Sequence, residues 1–380
     1  MTENQSMRNE WIKLFENTSF PKLMDEDFRS VPLKKLTSNI AYGIKSSRDP
    51  AGKKLDNGRS GLLFQNSTLS DHSLPKGFKI LKADSEQNIF SEAKDCNEAD
   101  YFALMNLSQN DEPYCINISG CSEEEASIFL GSSDTHEVRH RVDINLNDHA
   151  EAKISIHSEG KGFFNNLFRI KLGKNAHLKL SLDYSLSADA AIIENLRADL
   201  DSHASLKIDR VSQGCNLGKS GINVYLNAEG ADFQLNGVSW LKNELQDHLN
   251  TKVFHSHPDC TSSQLVKNIL DDEARSSFNG MVTVDQDAQR TSAQQTNKNL
   301  LLSEKAVANT KPGLMIFADD VKCAHGATVG QLDKDHIFYL MSRGISEEKA
   351  LRILCSAFAG EALGNFSDLN LAKKYREIFK

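Results

Sequence analysis

The sequence predicts a mainly β chain: a β-helix, or β-solenoid, flanked by N-terminal and C-terminal helical regions. Three observations lead there. From about Glu112 onward, short alternations of apolar and polar residues dominate, as in Val142-Asp143-Ile144-Asn145-Leu146 and Leu178-Lys179-Leu180-Ser181-Leu182. This is the period of strands buried on one face. A polar turn followed by a small residue then recurs, at Asp148-His149-Ala150, Lys174-Asn175-Ala176, Ser202-His203-Ala204, Glu229-Gly230-Ala231, Pro258-Asp259-Cys260 and Gln286-Asp287-Ala288. The repeat of about 26 to 29 residues falls in the range of stacked coils, each of which buries its inward side chains only against the next. Finally, the apolar period lengthens to that of helices near residue 335.

Three regions follow: residues 1–110, mainly helical; 111–330, the β-helix core; and 331–380, helical. In the first, residues 8–16 have helical spacing with Trp11, Leu14 and Phe15 on one face, and Asp84 to Met105 has it at Phe90, Ala93, Ala99, Phe102 and Ala103. Residues 46–60 are polar and basic, as an exposed loop would be. In the core, a small residue opening each strand suits a tight corner inside a coil, and crossover chirality favours a right-handed winding. In the last region, Asp335 to Ser342 reads as a short helix ended by Arg343-Gly344. Ser346 caps a second helix with Glu347 and Glu348 in its first turn and Leu351, Leu354, Cys355 and Phe358 on one stripe. Leu369 to Phe379 forms a third, with a basic face.

Length and composition narrow the function. At 380 residues the chain can bury a sizeable core. A net charge of −8 argues against a broad nucleic-acid footprint. No apolar run reaches membrane-spanning length, and the first residues lack the apolar core of a secretory signal. Seven scattered cysteines, without a disulfide framework, fit a reducing cytoplasm. There is no phosphate-binding G-x-x-x-x-G-K-[ST] loop and no G-x-S-x-G elbow, so a non-catalytic role is expected.

Two stretches carry candidate chemistry. In an extended strand Cys323 and His325 point to one face, a thiol beside an imidazole, suited to iron, zinc or copper. A buried cysteine beside a hydrogen-bonded histidine is the plainer alternative. His255 and His257, with Cys260 or Asp259 nearby, could likewise hold a metal; a turn whose histidines bond to backbone is the preferred reading there. Asp319 and Asp320 are adjacent, so on a strand they would face opposite ways.

The run DDVKCAHGATVGQLDKDHIFYLMSRGISEEKA, with the block from Phe278-Asn279-Gly280 to Gln294-Gln295-Thr296-Asn297-Lys298-Asn299-Leu300-Leu301-Leu302, resembles the SufD branch of the SufB/SufD family of iron–sulfur cluster assembly scaffolds. The likeness is strong over the C-terminal third, one of pattern in the middle, and weak over the first hundred residues. It implies a right-handed parallel β-helix. It also implies a SufB-like partner paired through that β-helix, and a SufC-like ABC ATPase bound through the C-terminal helices, at Ile337, Phe338, Leu340, Met341, Arg343 and Gly344. It assigns His325, and less firmly Cys323, to capture of iron or a nascent iron–sulfur cluster, held transiently and shared with the partner. SufB-like chains tend to be longer and to carry an N-terminal cysteine cluster, which is missing here. Two other functions stay open on the residues alone: a homo-oligomeric metal-binding scaffold, and a β-helix enzyme acting on carbohydrate.

Overall fold

A computed structural model describes residues 12–22, 25–32, 60–82, 100–109, 113–132 and 137–378. Ten-residue strands alternate with short corners through most of the chain, and each strand pairs in parallel with the strand one coil later. The strands are β1 (Gly61–Gln65), β2 (Thr68–Ser73), β3 (Phe78–Lys82), β4 (Tyr114–Ile118), β5 (Cys121–Ser132), β6 (Glu137–Leu146), β7 (Glu151–Gly160), β8 (Phe163–Leu172), β9 (His177–Leu186) and β10 (Ala191–Leu200). They continue as β11 (Ser205–Ser212), β12 (Leu217–Leu226), β13 (Asp232–Leu241), β14 (Gln246–His255), β15 (Thr261–Leu270), β16 (Arg275–Val284), β17 (Ser292–Leu301), β18 (Val307–Ile316) and β19 (Lys322–Gln331). From β5 onward the odd-numbered strands form one sheet and the even-numbered strands the other, so each coil contributes one strand to each. The two sheets face one another across a lumen. Its stacked side chains, such as Ile154, Leu180, Ile208 and Leu235 on one wall and Ile170, Ala198, Val224 and Val253 on the other, are the apolar core.

The recurring turns do what their composition suggests. His149, Asn175, His203, Gly230 and Asp259 all have positive φ, between 54° and 73°, a region open to glycine and tolerated by Asn, Asp and His. Each donates its backbone N–H to the matching turn of the next coil: His149 to Lys174, Asn175 to Ser202, His203 to Glu229, Gly230 to Pro258. The small residue that follows, Ala150, Ala176, Ala204, Ala231 or Cys260, is completely buried inside the corner. At the sixth triplet the pattern shifts: Arg290, not Asp287, has positive φ.

The described parts of the N-terminal region hold both helices and strands. Residues 12–17 and the helix α1 (Tyr101–Gln109) are helical, but residues 61–82 form β1, β2 and β3, which start the two sheets. Strands therefore begin well before residue 111. Trp11, the basic loop from 46 and most of the helix expected from Asp84 lie outside the described residues. Phe28, Val31, Phe102 and Met105 pack on Phe163, Ala191, Ile193 and Leu217, covering the outer face of the even sheet. Asn106 Nδ2 pins α1 by donating to the carbonyls of His140 and Asn165.

All three C-terminal helices form: α2 (Lys334–Ser342), α3 (Glu347–Leu363) and α4 (Leu369–Ile378). Ser346 caps α3, its hydroxyl accepting from the Lys349 N–H. Helices α3 and α4 do not close the end of the solenoid. They fold back along the outer face of the odd sheet, where Cys355, Ala359, Phe366, Leu371 and Tyr375 pack on Val211, Val238, Ile269 and Leu300. Among the described residues, no helix is long and apolar enough to cross a membrane.

Candidate functional site

Because the helices turn back, the last coil is uncovered. Strands β18 and β19 are the edges of their sheets, so their inward side chains meet no further coil. Met315, Ile316, Phe317 and Val329 are exposed there, Phe317 at 58%. An apolar, unpaired pair of edges is what a folded chain normally hides.

Cys323 and His325 lie on β19, opposite Ala293 and Gln295 of β17. Register partners on parallel strands face the same side, and Ala293 and Gln295 are buried in the lumen. Both Cys323 and His325 therefore project inward over the open end, as the i, i+2 spacing requires. Cys323 is half-buried against the core, and burial pushes its thiol above the ordinary range. It must shed a proton before it can ligate a metal. His325 is exposed.

His255 and His257 are not brought together. His255 ends β14 inside the lumen, fully buried, with Nε2 2.8 Å from Ser262 Oγ; burial lowers its pKa to about 4. His257 lies past the strand end and is exposed. Cys260 is buried at the corner, its thiol directed at the Ala228 carbonyl 3.2 Å away. Asp319 and Asp320 occupy the corner before β19, outside any strand. Among the described residues, no three His, Cys, Asp or Glu side chains converge to hold a metal. Any ion held at Cys323 and His325 would need further ligands from elsewhere.

A groove of about 640 Å³ on the outer face of the odd sheet has acidic and aromatic side chains of the kind a sugar-active site uses. It carries Glu124, Glu159 and Asp183 beside Phe129, whose ring stacks on His157 at 4.9 Å. Asp183, however, is already engaged by His157, Lys374, Tyr375 and Ser185. It clamps α4 to the sheet.

Residues 129–358 match the family described as "SUF system FeS cluster assembly, SufBD core domain". The chain belongs to the SufBD family. Its match with SufD of Escherichia coli runs at 29% identity over 98% of this chain and 92% of that protein. A SufBD family protein of Synechocystis is 35% identical over 57% of this chain and 48% of its own length, and SufD of Bacillus subtilis 29% over 61% and 54%. The match to the SufBD family covers the solenoid from β5 onward with α2 and most of α3, so it includes Cys323, His325 and the exposed helix.

On that helix, Phe338, Tyr339 and Met341 are exposed and Ile337 and Leu340 half-buried; α2 has no buried residue at all. Arg343 is exposed too, its guanidinium 5.4 Å from the Tyr339 ring centre, and Gly344 follows with φ of 83°. The residues that sequence reasoning missed lie beneath His325: Gln295, Gln264 and Thr251, buried inside the last coils. Their signal was available in Ser262-Ser263-Gln264-Leu265-Val266, where a glutamine takes an inward place in an alternating run.

Proposed function

We propose that this SufBD-family chain is a non-catalytic scaffold subunit that works at its open end, where a SufB-type chain joins the edges of β18 and β19. The uncovered last coil carries this reading: two sheet edges, exposed apolar side chains and a Cys323–His325 pair share one surface. Iron, or a nascent iron–sulfur cluster, is then the cargo. It is held between His325, Cys323 and ligands of the partner, which suits a site with two donors of its own. Helix α2 offers Phe338 and Met341 to a SufC-type ATPase, whose hydrolysis would supply the drive, and the isolated chain holds no tightly bound cofactor. The cytoplasm is the compartment that suits free thiols.

The test is co-expression of the full chain with SufB-type and SufC-type partners. Expected is a ternary complex that loses the ATPase on Phe338→Glu with Met341→Glu. His325→Ala should assemble but carry several-fold less iron. Capture of neither partner by the intact chain would overturn the proposal, and iron bound tightly by the chain alone would favour a self-contained homo-oligomeric scaffold.

A further inference from the structure

Three stacked layers of the lumen lead to His325. On one wall, Leu235, Gln264, Gln295 and His325 are register partners on successive coils; on the other, Ile222, Thr251, Gly280 and Pro312 are. The column is apolar up to Leu235 and Ile222, then turns polar for the last coils only. Gln264 and Gln295 are each 1% exposed, and neither amide oxygen nor amide nitrogen of either finds a hydrogen-bond partner in the protein; nor does the Thr251 hydroxyl. Gly280 faces the Gln295 amide so closely that a Cβ there would collide with it. The wall is left bare where the amide lies.

A buried amide without a partner disfavours folding, and Leu or Met of similar volume would remove that cost. Five unsatisfied polar atoms gathered in two layers, next to one another and under one histidine, have the chemistry of a small hydration site. A buried water is kept where two to four polar groups converge on it. Imidazole has two distinct nitrogens, and the hydrogen bond made by one fixes which of them is free to ligate. The backbones of Gln295 and His325 are one strand spacing apart, about 4.8 Å.

We propose that Gln295, backed by Gln264 and Thr251, forms a buried water-holding site that orients the His325 imidazole and fixes its tautomer. Gln295 is thus a positioning residue, acting through one water. The inference rests on His325 being the working group of the proposed scaffold, but its readout needs neither iron nor a partner.

The experiment is NMR of the full chain with ¹⁵N-labelled histidine, the His325 signal being identified as the one missing in His325→Gln. In the wild type, one neutral tautomer should dominate well beyond the mixture of a free imidazole. Gln295→Met should return it to that mixture without loss of thermal stability. A free-imidazole mixture in the wild type overturns the proposal even if no variant folds. So does an unchanged ring signal in a folded Gln295→Met protein, which would leave the amides a purely structural role. If the tautomer is fixed but no partner is captured, the inference survives and the scaffold reading fails.

Discussion

Glu194 is completely enclosed by the lumen, where Tyr184 Oη donates to one of its oxygens. Burial pushes its pKa up to about 7, the bond from Tyr184 only partly countering. The folded value thus stands above the ordinary 4.5, so the folded chain keeps a proton that the unfolded chain releases. The associated stability is fully present below about pH 4.5 and is lost as pH rises towards 7, a fall of about 3 kcal/mol across that window. Urea midpoints between pH 4.5 and 7 should show this decline, and Glu194→Gln should flatten it. Nearby, Arg210 donates from Nη1 at 2.8 Å and from Nη2 at 2.6 Å to Asp247, which also accepts from Ser239 at 2.6 Å. Asp247→Ala would strand a buried guanidinium and should cost about 3–5 kcal/mol in chemical denaturation.

Corners and docked helices fail in their own ways. Gly230 turns with φ of 73°, and a Cβ there would collide with the His203 ring. Gly230→Ala should therefore lower stability by about 1–3 kcal/mol, measurable as a shifted melting midpoint, through strain at the conformation and at the contact. The docking of α4 hangs on Asp209, which accepts from Ser367 N at 2.6 Å, Ser367 Oγ at 2.7 Å and Asp368 N at 3.1 Å. Asp183 adds a second anchor. Against the upward push of burial, its bonds from His157 and Lys374 hold it at about 2, so that anchor weakens only as pH falls from about 4 towards 2. In hydrogen exchange, Asp209→Ala should speed α4 amides while leaving β11 and its neighbours protected. Sustained protection of α4 would show that the apolar contacts of Leu371 and Tyr375 suffice alone.

For the whole molecule, the open end predicts a separation of stability from assembly. Phe317→Glu with Val329→Lys changes side chains that already face solvent. It should leave the melting temperature within about a degree but abolish pairing with a second chain, as read by light scattering. The solenoid was legible because inward and outward residues alternate without interruption over ten-residue strands, and because His149, Asn175, His203 and Gly230 mark equivalent corners. Strand β1 was not: Gly61-Leu62-Leu63-Phe64-Gln65 is buried throughout, and a short apolar run with no alternation looks the same in a helix. The stripe at Leu351, Leu354, Cys355 and Phe358 revealed that α3 has an apolar face but not what it packs on, since amphipathicity carries no direction. The i, i+2 spacing placed Cys323 and His325 on one side. For His255 and His257 the same spacing failed, because the strand stops at His255 and the corner begins at His257.

Each coil is also a unit of length. Between β6 and β8, and between β7 and β9, the register advances by 26 residues (Glu137 to Phe163, Glu151 to His177). His149 and Asn175 are equivalent left-handed corners at that same distance. A gain or loss of one residue inside a strand would turn every following side chain inside out. A gain or loss of a whole coil would keep the alternation and the corners, and would move the open end by one strand spacing, about 4.8 Å. Corners absorb single residues, since the advance is 26 residues from Glu151 to His177 and 31 from Thr261 to Ser292, but the reach of the molecule changes only by whole coils, with its terminal surface carried along unchanged.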